Sequence, residues 1–499
     1  MHKCLLFNVC SPGWAGRAAG PYRIAHVLRE EGWDCEVIEF TLAWTEEELK
    51  QLARSRIDSN TKFVGFGHLF SMWPEDYETF CEWIKEQWPH IKIISGSSVL
   101  PLFNSKTIDY YIQGFAEFAI VELTKYLFSN GPMPKFDLQQ KLAGKWVIAA
   151  NDVYPAYPMK SLMIRYEDRD FIAPGEWLTM EFSRGCKFHC AFCNYPILGV
   201  KGDYSRDAED ARANLQENYD RFGVYRYTVS DETFNDRTEK ITKFADAVEQ
   251  LSFTPWFSGY IRADLLISRP KDREELLRMN FLGHFYGVES FNTPSSRAVG
   301  KGMDGDRMKA GLIEAKRYFQ NNGSGLYRGN LGLIIGLPYE SIESIYQTRD
   351  WLNANWSDQA FDTWGLEIPT KKIRSSKISE DMGKYGYTRM STEDIISNYD
   401  ENTRNADFTQ IVPWQNEHMN YFKARRIETE INKMYFENRF RLSTFALSGI
   451  PTAHHNMEEL LKVCPVDVLR DIGGDYHLPD RTKPGYKIID DYIHKKLSL

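Results

Sequence analysis

The sequence predicts an α/β protein in three parts: an N-terminal doubly wound, Rossmann-like domain, a partial (βα)6 TIM-like barrel, and a mostly helical C-terminal region. Three observations predict it. Short apolar runs alternate with helical patterns over residues 1–128, the alternation resumes at Trp177 for six units, and it stops after Lys371. At 499 residues the chain is too long for one hydrophobic core, so several domains are expected.

In the first part, strands over 3–9, 36–40, 63–67, 91–95 and 110–113 are separated by helices over 21–31 and 74–87, and a last helix covers 119–128. Gly32, Trp88-Pro89 and Gly114 mark element ends. A ligand of such a domain sits beyond the carboxyl ends of its strands. Residues 129–175 are broken by Asn130-Gly131-Pro132 and Tyr154-Pro155-Ala156-Tyr157-Pro158, and are expected to form a linker with little regular structure. The barrel, 176–370, takes strands from 178–183, 225–230, 256–260, 284–288, 330–336 and 363–368, with functional residues at their carboxyl ends. In the C-terminal region, 371–499, a long helix is expected over 415–440 and short ones over 457–463 and 466–471. Trp414-Gln415-Asn416-Glu417-His418 reads as the start of the long helix.

Hydrophobic residues make up 42% of the chain and charged residues 26%, a composition of soluble domains. The net charge of -8 argues against a large nonspecific nucleic-acid surface. No apolar stretch is long enough to span a bilayer, and the opening MHKCLLFNVC reads as a strand, not a signal peptide. A cytoplasmic protein with no membrane and no nucleic-acid partner is expected.

Five of the eight cysteines stand alone, which suits small buried hydrophobes in a long chain. The other three, Cys186, Cys190 and Cys193, fall within eight residues, directly after an expected strand. Thiolates are soft donors for iron–sulfur clusters or zinc. A structural zinc site needs four closed ligands, and His189, between the first two cysteines, is awkwardly placed to complete a tetrahedron. Three thiolates leave one metal position open.

The stretch Ser183-Arg184-Gly185-Cys186-Lys187-Phe188-His189-Cys190-Ala191-Phe192-Cys193 resembles the cluster loop of the radical S-adenosylmethionine (SAM) superfamily. The resemblance implies a [4Fe–4S] cluster on Cys186, Cys190 and Cys193, whose open iron chelates SAM and cleaves it to a 5′-deoxyadenosyl radical. It implies further SAM contacts. Phe192 matches the aromatic beside adenine. Ser230 and Glu232, in Val229-Ser230-Asp231-Glu232-Thr233, occupy the place that binds the SAM amino group. For Glu232 an exposed acidic turn capping the next helix is an equal alternative. Glu289, in Gly287-Val288-Glu289-Ser290, matches the ribose contact. Gly332, Ile334 and Gly336, in Gly332-Leu333-Ile334-Ile335-Gly336-Leu337-Pro338-Tyr339-Glu340, match the strand lying against adenine. Arg262 reads as an exposed ion pair, with a carboxylate contact as the rival.

Residues 1–128 are similar to the cobalamin-binding domain that precedes the barrel in one radical SAM class. The resemblance places Ser11, Gly13, Phe70, Ser71, Met72, Gly96, Ser97, Gly114, Phe115 and Glu117 around the corrin and its tail. The Asp-x-His-x-x-Gly motif of the mutases is missing, as in many radical SAM relatives. By resemblance the expected activity is cobalamin-dependent methylation of an unactivated carbon, on a small molecule or peptide, with a flavodoxin or ferredoxin as electron donor. Alternatives are a cobalamin-dependent cyclisation, rearrangement or oxidation, or a radical SAM enzyme whose N-terminal domain binds no cobalamin. A methylthiotransferase, with a second cluster on Cys10, Cys35 and Cys81, lacks that family's local motifs.

Overall fold

The computed structural model describes residues 1–9, 17–68, 75–97, 105–135, 141–142, 145–150, 154–155, 157–159, 164–174, 176–194, 204–370, 376–401, 403, 406, 408, 411–437, 481–482 and 487–499. The N-terminal part runs β1 (Lys3–Val9), α1 (Ala19–Glu30), β2 (Asp34–Ile38), α2 (Glu46–Arg56), β3 (Thr61–His68), α3 (Glu75–Gln87), β4 (Lys92–Ser97), β5 (Tyr110–Gln113), α4 (Glu117–Phe128), β6 (Lys141–Leu142) and β7 (Lys145–Ala149). These strands form one sheet in the order β2-β1-β3-β4-β5-β7-β6, parallel except for the final β7–β6 pair. Both faces are covered, so the apolar residues of β1 divide between two cores: Leu5, Phe7 and Val9 enter one while Cys4 and Leu6 enter the other.

Two features depart from the sequence reading. Residues 141–149, expected within the linker, extend the sheet, with β7 parallel to β5. Helix α2 was not expected. Its signature is nonetheless in the sequence: Thr45 and Glu48 form a reciprocal capping box, and three glutamates fill the first turn.

The second part runs β8 (Trp177–Met180), β9 (Ser183–Arg184), β10 (Tyr204–Ser205), α5 (Ala208–Phe222), β11 (Arg226–Val229), α6 (Thr238–Val248), β12 (Trp256–Ile261), α7 (Ala263–Ser268), α8 (Pro270–Arg278), β13 (Phe281–Glu289), α9 (Thr293–Ala298), α10 (Gly305–Asn322), β14 (Arg328–Ile335), α11 (Ile342–Asn355) and β15 (Ala360–Gly365). Six strands pair in the order β15-β14-β13-β12-β11-β8, all parallel, which is the expected six-unit partial barrel. Helix ends follow local chemistry. Asp207 caps α5 and left-handed Gly223 stops it, while Ser341 opens α11 through a capping box.

The C-terminal part contains α12 (Lys377–Glu380), β16 (Thr388–Arg389), α13 (Thr392–Asn398), β17 (Trp414–Gln415), α14 (Tyr421–Glu437) and α15 (Lys487–Ser498). The expected helices at 457–463 and 466–471 lie outside the described residues. Trp414 and Gln415 do not start the long helix. They pair antiparallel with β16, and the buried Trp414 indole donates to the Leu366 carbonyl at 2.8 Å. An aromatic with its N–H satisfied by backbone packs best in a fixed corner, not on the first turn of a half-exposed helix.

Helix α15 returns to the N-terminal domain. Ile489, Tyr492 and Ile493 enter the core that covers the β1 face carrying Leu5 and Phe7. The fully buried Lys496 ammonium donates to Glu36 at 2.8 Å, and Arg481 bridges Glu48 and Asp490. The first domain is thus completed by the last helix of the chain.

Candidate active site

The cluster loop leaves the first barrel strand between two short strands. β9 pairs antiparallel with β10, so residues 183–184 and 204–205 close its base. Asp231 fixes the entry: one carboxylate oxygen accepts from the Phe182 and Ser183 amides at 2.8 and 3.0 Å, the other from the Ser183 hydroxyl. Lys240 is buried against the same hydroxyl and pairs with Asp236. Glu232 accepts from the Gly185 amide at 2.9 Å, one residue before Cys186. Burial, with Asp231 adding, pushes its carboxyl up to about 7. The exposed-turn alternative therefore fails. Glu232 is half-buried, and the following helix begins only at Thr238. Ser230 is exposed at the end of β11, its amide bound to the Met180 carbonyl.

All three loop cysteines are free thiols, with Cys190 buried and Cys186 and Cys193 partly accessible. Cys193 closes a turn onto the Cys190 carbonyl at 3.1 Å, and the Thr233 hydroxyl lies 3.5 Å from the Cys186 sulfur. Arg262 is not the exposed ion pair expected. It is buried, with its guanidinium 3.8 Å from the Phe188 ring centroid, 3.5 Å from the Cys190 sulfur and 3.1 Å from the Gly300 carbonyl. Asp264 holds its Nε, and Asn235 exchanges hydrogen bonds with its backbone. The C-terminal region closes the loop from outside: the Ile378 amide donates to the Ala191 carbonyl and Lys377 to that of His189. His189 itself is exposed, and Phe192 is half-buried against the core. Among the described residues no three His, Cys, Asp or Glu side chains converge on a single metal ion.

The fourth and fifth strands supply the other SAM candidates. Glu289 has a left-handed backbone, φ 68°, and its carboxylate pairs with buried Lys301 at 3.0 Å. Ser290 donates to Glu340 at 2.6 Å, and Glu340 accepts the Gly336 amide at 2.9 Å, linking the ends of β13 and β14. Burial pushes the Glu340 carboxyl up to about 7. Gly336 has φ 94°, and a Cβ there would lie 2.5 Å from the Trp414 ring. The strand end has room for Trp414 only because position 336 carries no side chain. Gly332 and half-buried Ile334 lie on the inward face of β14.

Of the N-terminal candidates, Ser11, Gly13, Phe70, Ser71 and Met72 lie outside the described residues. Gly96 and Ser97 end β4, paired with Ile112 and Gln113. Gly114 follows β5 with φ 92°. Phe115 lies under the Arg184 guanidinium, 4.2 Å from its ring centroid. Glu117 is buried and pairs with Arg184, while Glu181 pairs with Arg23 and Arg184. This ion cluster joins α1 and α4 of the first domain to the strand entering the cysteine loop. The carboxyl ends of the two parallel sheets therefore face each other across Arg184. Among the described residues, Arg23 Nη1, Glu117 Oε2 and Arg184 Nη1 in this cluster have no hydrogen-bond partner.

Cys10 and Cys464 lie outside the described residues, and the other scattered cysteines, Cys4, Cys35 and Cys81, are buried. Cys35 lies in one core of the first domain and Cys81 in the other, and burial raises the Cys81 thiol. Two cysteines on opposite faces of a sheet do not share a second cluster.

A parallel half-barrel whose first strand runs into three spaced cysteines, behind a doubly wound domain, is the architecture of radical enzymes that use SAM. Within the barrel, residues 180–352 match the family model described as Radical SAM superfamily. No curated protein matches the chain by sequence. Among solved structures it is similar in fold to the radical SAM methyltransferase TsrM from Kitasatospora setae, solved with tryptophan substrate and a SAM analogue. That match has 12% identity and a TM-score of 0.57, and covers 79% of each chain. It is also similar to the cobalamin-dependent SAM radical enzyme OxsB with aqua-cobalamin bound, at 14% identity and a TM-score of 0.61, covering 100% of this chain and 80% of that one. OxsB with both aqua-cobalamin and SAM gives a TM-score of 0.60 at the same identity and coverage. Among the described residues no helix is long and apolar enough to cross a membrane.

Proposed function

We propose that this chain is a cobalamin-dependent radical SAM enzyme that methylates an unactivated carbon of a small molecule or peptide. The observation that carries the reading is the meeting of the two strand ends at Arg184, next to the cysteine loop. The donor set fits a cluster: three free thiols lie on one loop, with the Arg262 guanidinium 3.5 Å from the Cys190 sulfur. Cys186, Cys190 and Cys193 would hold it, with Glu232, Ser230, Glu289, Ile334 and Phe192 around SAM. At the facing strand end, among the described residues a Cβ on Gly96 would meet only the Ile112 carbonyl, at 3.6 Å, which leaves the backbone open to a flat group. When bound, the cluster and SAM supply a radical able to break C–H bonds, and cobalamin supplies a methyl carrier.

The chain's own residues position the loop. Asp231 and Glu232 fix the backbone on either side of Arg184, so the loop enters the mouth in one conformation. Lys377 and Ile378 hold the loop's outer side through the His189 and Ala191 carbonyls. An electron donor of the flavodoxin or ferredoxin class and a cytoplasmic location complete the proposal.

A second reading, a radical SAM enzyme whose first domain takes no cobalamin, is favoured by Arg184 closing over Phe115. One experiment separates the two. Anaerobically reconstituted protein is incubated with hydroxocobalamin and desalted. The proposal expects about one retained corrin per chain, lost in Gly96→Leu while the cluster spectrum persists. A wild-type protein that keeps its cluster and releases all corrin supports the second reading.

A further inference from the structure

The barrel lumen holds side chains that neither the cysteine loop nor the SAM contacts use. Strand register stacks them in layers. Tyr260 pairs with Phe285 and Phe285 with Asn330, Gly332 pairs with Asp362 one layer higher, and Ile334 pairs with Trp364 above that. Alternate residues of β14 and β15 face outward: Leu331 and Leu333 are buried in the core, and Thr363 bonds Asn432 of α14. Asn330, Asp362 and Trp364 therefore face inward.

Aromatic rings line this inward face. Tyr260 and Phe285 meet edge to face at 5.1 Å, Phe285 lies 6.0 Å from Trp364, and Trp364 remains 38% exposed. Gly332 makes room for the shelf, since a Cβ there would lie 2.7 Å from the Phe285 ring. Beside the rings, Asn330 Nδ2 donates to the Asp362 carboxylate at 2.6 Å. Asn330 is 1% exposed, and among the described residues its Oδ1 has no hydrogen-bond partner. Burial holds the Asp362 carboxyl above its usual range, and the Asn330 bond is what opposes this. Among the described residues no cation acts on Asp362. The lumen thus presents a carboxylate, an orphan amide oxygen and the negative faces of aromatic rings, all of which attract an N–H-bearing cation.

We propose that Asp362 and Asn330, beside the Tyr260–Phe285–Trp364 rings, form a substrate subsite for a protonated amine. The inference rests on the reading that the lumen of a radical SAM barrel takes the substrate, and it names that substrate's class. Asp362 lies one layer deeper than Ile334, so the amine sits below SAM.

The test titrates reconstituted, SAM-loaded protein with phenethylamine and with phenethyl alcohol, its neutral counterpart, by calorimetry. The amine is expected to bind about tenfold or more tighter than the alcohol. Asp362→Asn should remove that preference while SAM affinity stays within about twofold. Trp364→Ala, at an exposed position, should weaken the amine severalfold and serves if Asp362→Asn folds poorly. Equal binding of amine and alcohol, or an unchanged preference in both variants, overturns the proposal. So does an equal loss of SAM affinity in Asp362→Asn, which would assign the carboxylate to SAM. Cluster spectrum and SAM cleavage are recorded on the same samples. Their absence in wild type defeats the radical SAM reading and leaves the amine comparison readable.

Discussion

The two parallel sheets end in sites built in opposite ways. At the barrel mouth most links are short in sequence: Asp231 and Glu232 bind residues some 48 positions away on the neighbouring strand, and Ser290 meets Glu340 on the next. The first domain is held together from a distance. Its α4 carboxylate, Glu117, pairs with Arg184 of the barrel, and its outer core is filled by a helix more than 400 residues along. A strand-end site made by neighbouring βα units is modular. One that borrows charges and helices from elsewhere stands or falls with the whole chain.

Substitutions sharpen this contrast. Glu117→Ala should have the largest effect on stability, about 3–5 kcal/mol, because Arg184 and Arg23 keep buried charge with less to balance it. Urea denaturation of the isolated protein measures it, and a loss below about 1 kcal/mol would mean the ion cluster is not what joins the domains. Gly336→Ala comes next, at about 2–3 kcal/mol, since the new Cβ meets Trp414 and the left-handed backbone disfavours it. Its melting curve, followed by circular dichroism, should shift to lower temperature.

A pH effect distinguishes the regions more finely. Buried Glu39, hydrogen-bonded by Asn8, has its carboxyl pushed up by burial from 4.5 to about 7. The native chain then holds more protons than the unfolded one between those values, so stability falls as pH rises through that window. Glu39→Gln should flatten the fall by about 1.4 kcal/mol per pH unit there, measured as denaturation midpoints at pH 5 and pH 8. The smallest effect is expected at Arg278, which touches Asp246, Glu249 and Glu275 but is one-third exposed. Arg278→Ala should cost under about 1 kcal/mol, and less in high salt.

What the sequence revealed follows the same division. That the cysteine loop, Glu289 and the Gly332–Gly336 pattern lie at or near strand ends was legible because their spacing is local. Asp231 was passed over although it fixes the loop entry, because a carboxylate that accepts two backbone amides has no spacing signal. Arg262 was misjudged as exposed, since its partners Cys190, Phe188 and Gly300 meet it only through the fold. Helix α2 carried a readable capping box at Thr45 and Glu48. Strand β7 did not: its pairing with β5 crosses a Pro-rich stretch, and Trp146-Val147-Ile148 is short enough to pass as linker. Trp414 looked like a helix start because only the tertiary corner at Gly336 reveals it as a packing residue.

The most direct test of the central claim compares wild type with the Cys186→Ala, Cys190→Ala, Cys193→Ala triple variant after anaerobic iron–sulfide reconstitution and dithionite reduction in the presence of SAM. Wild type is expected to show the broad visible absorption of an iron–sulfur cluster and to release 5′-deoxyadenosine with methionine. The triple variant should do neither while keeping the same circular dichroism. A wild type that matches the variant, colourless and leaving SAM intact, would contradict the account.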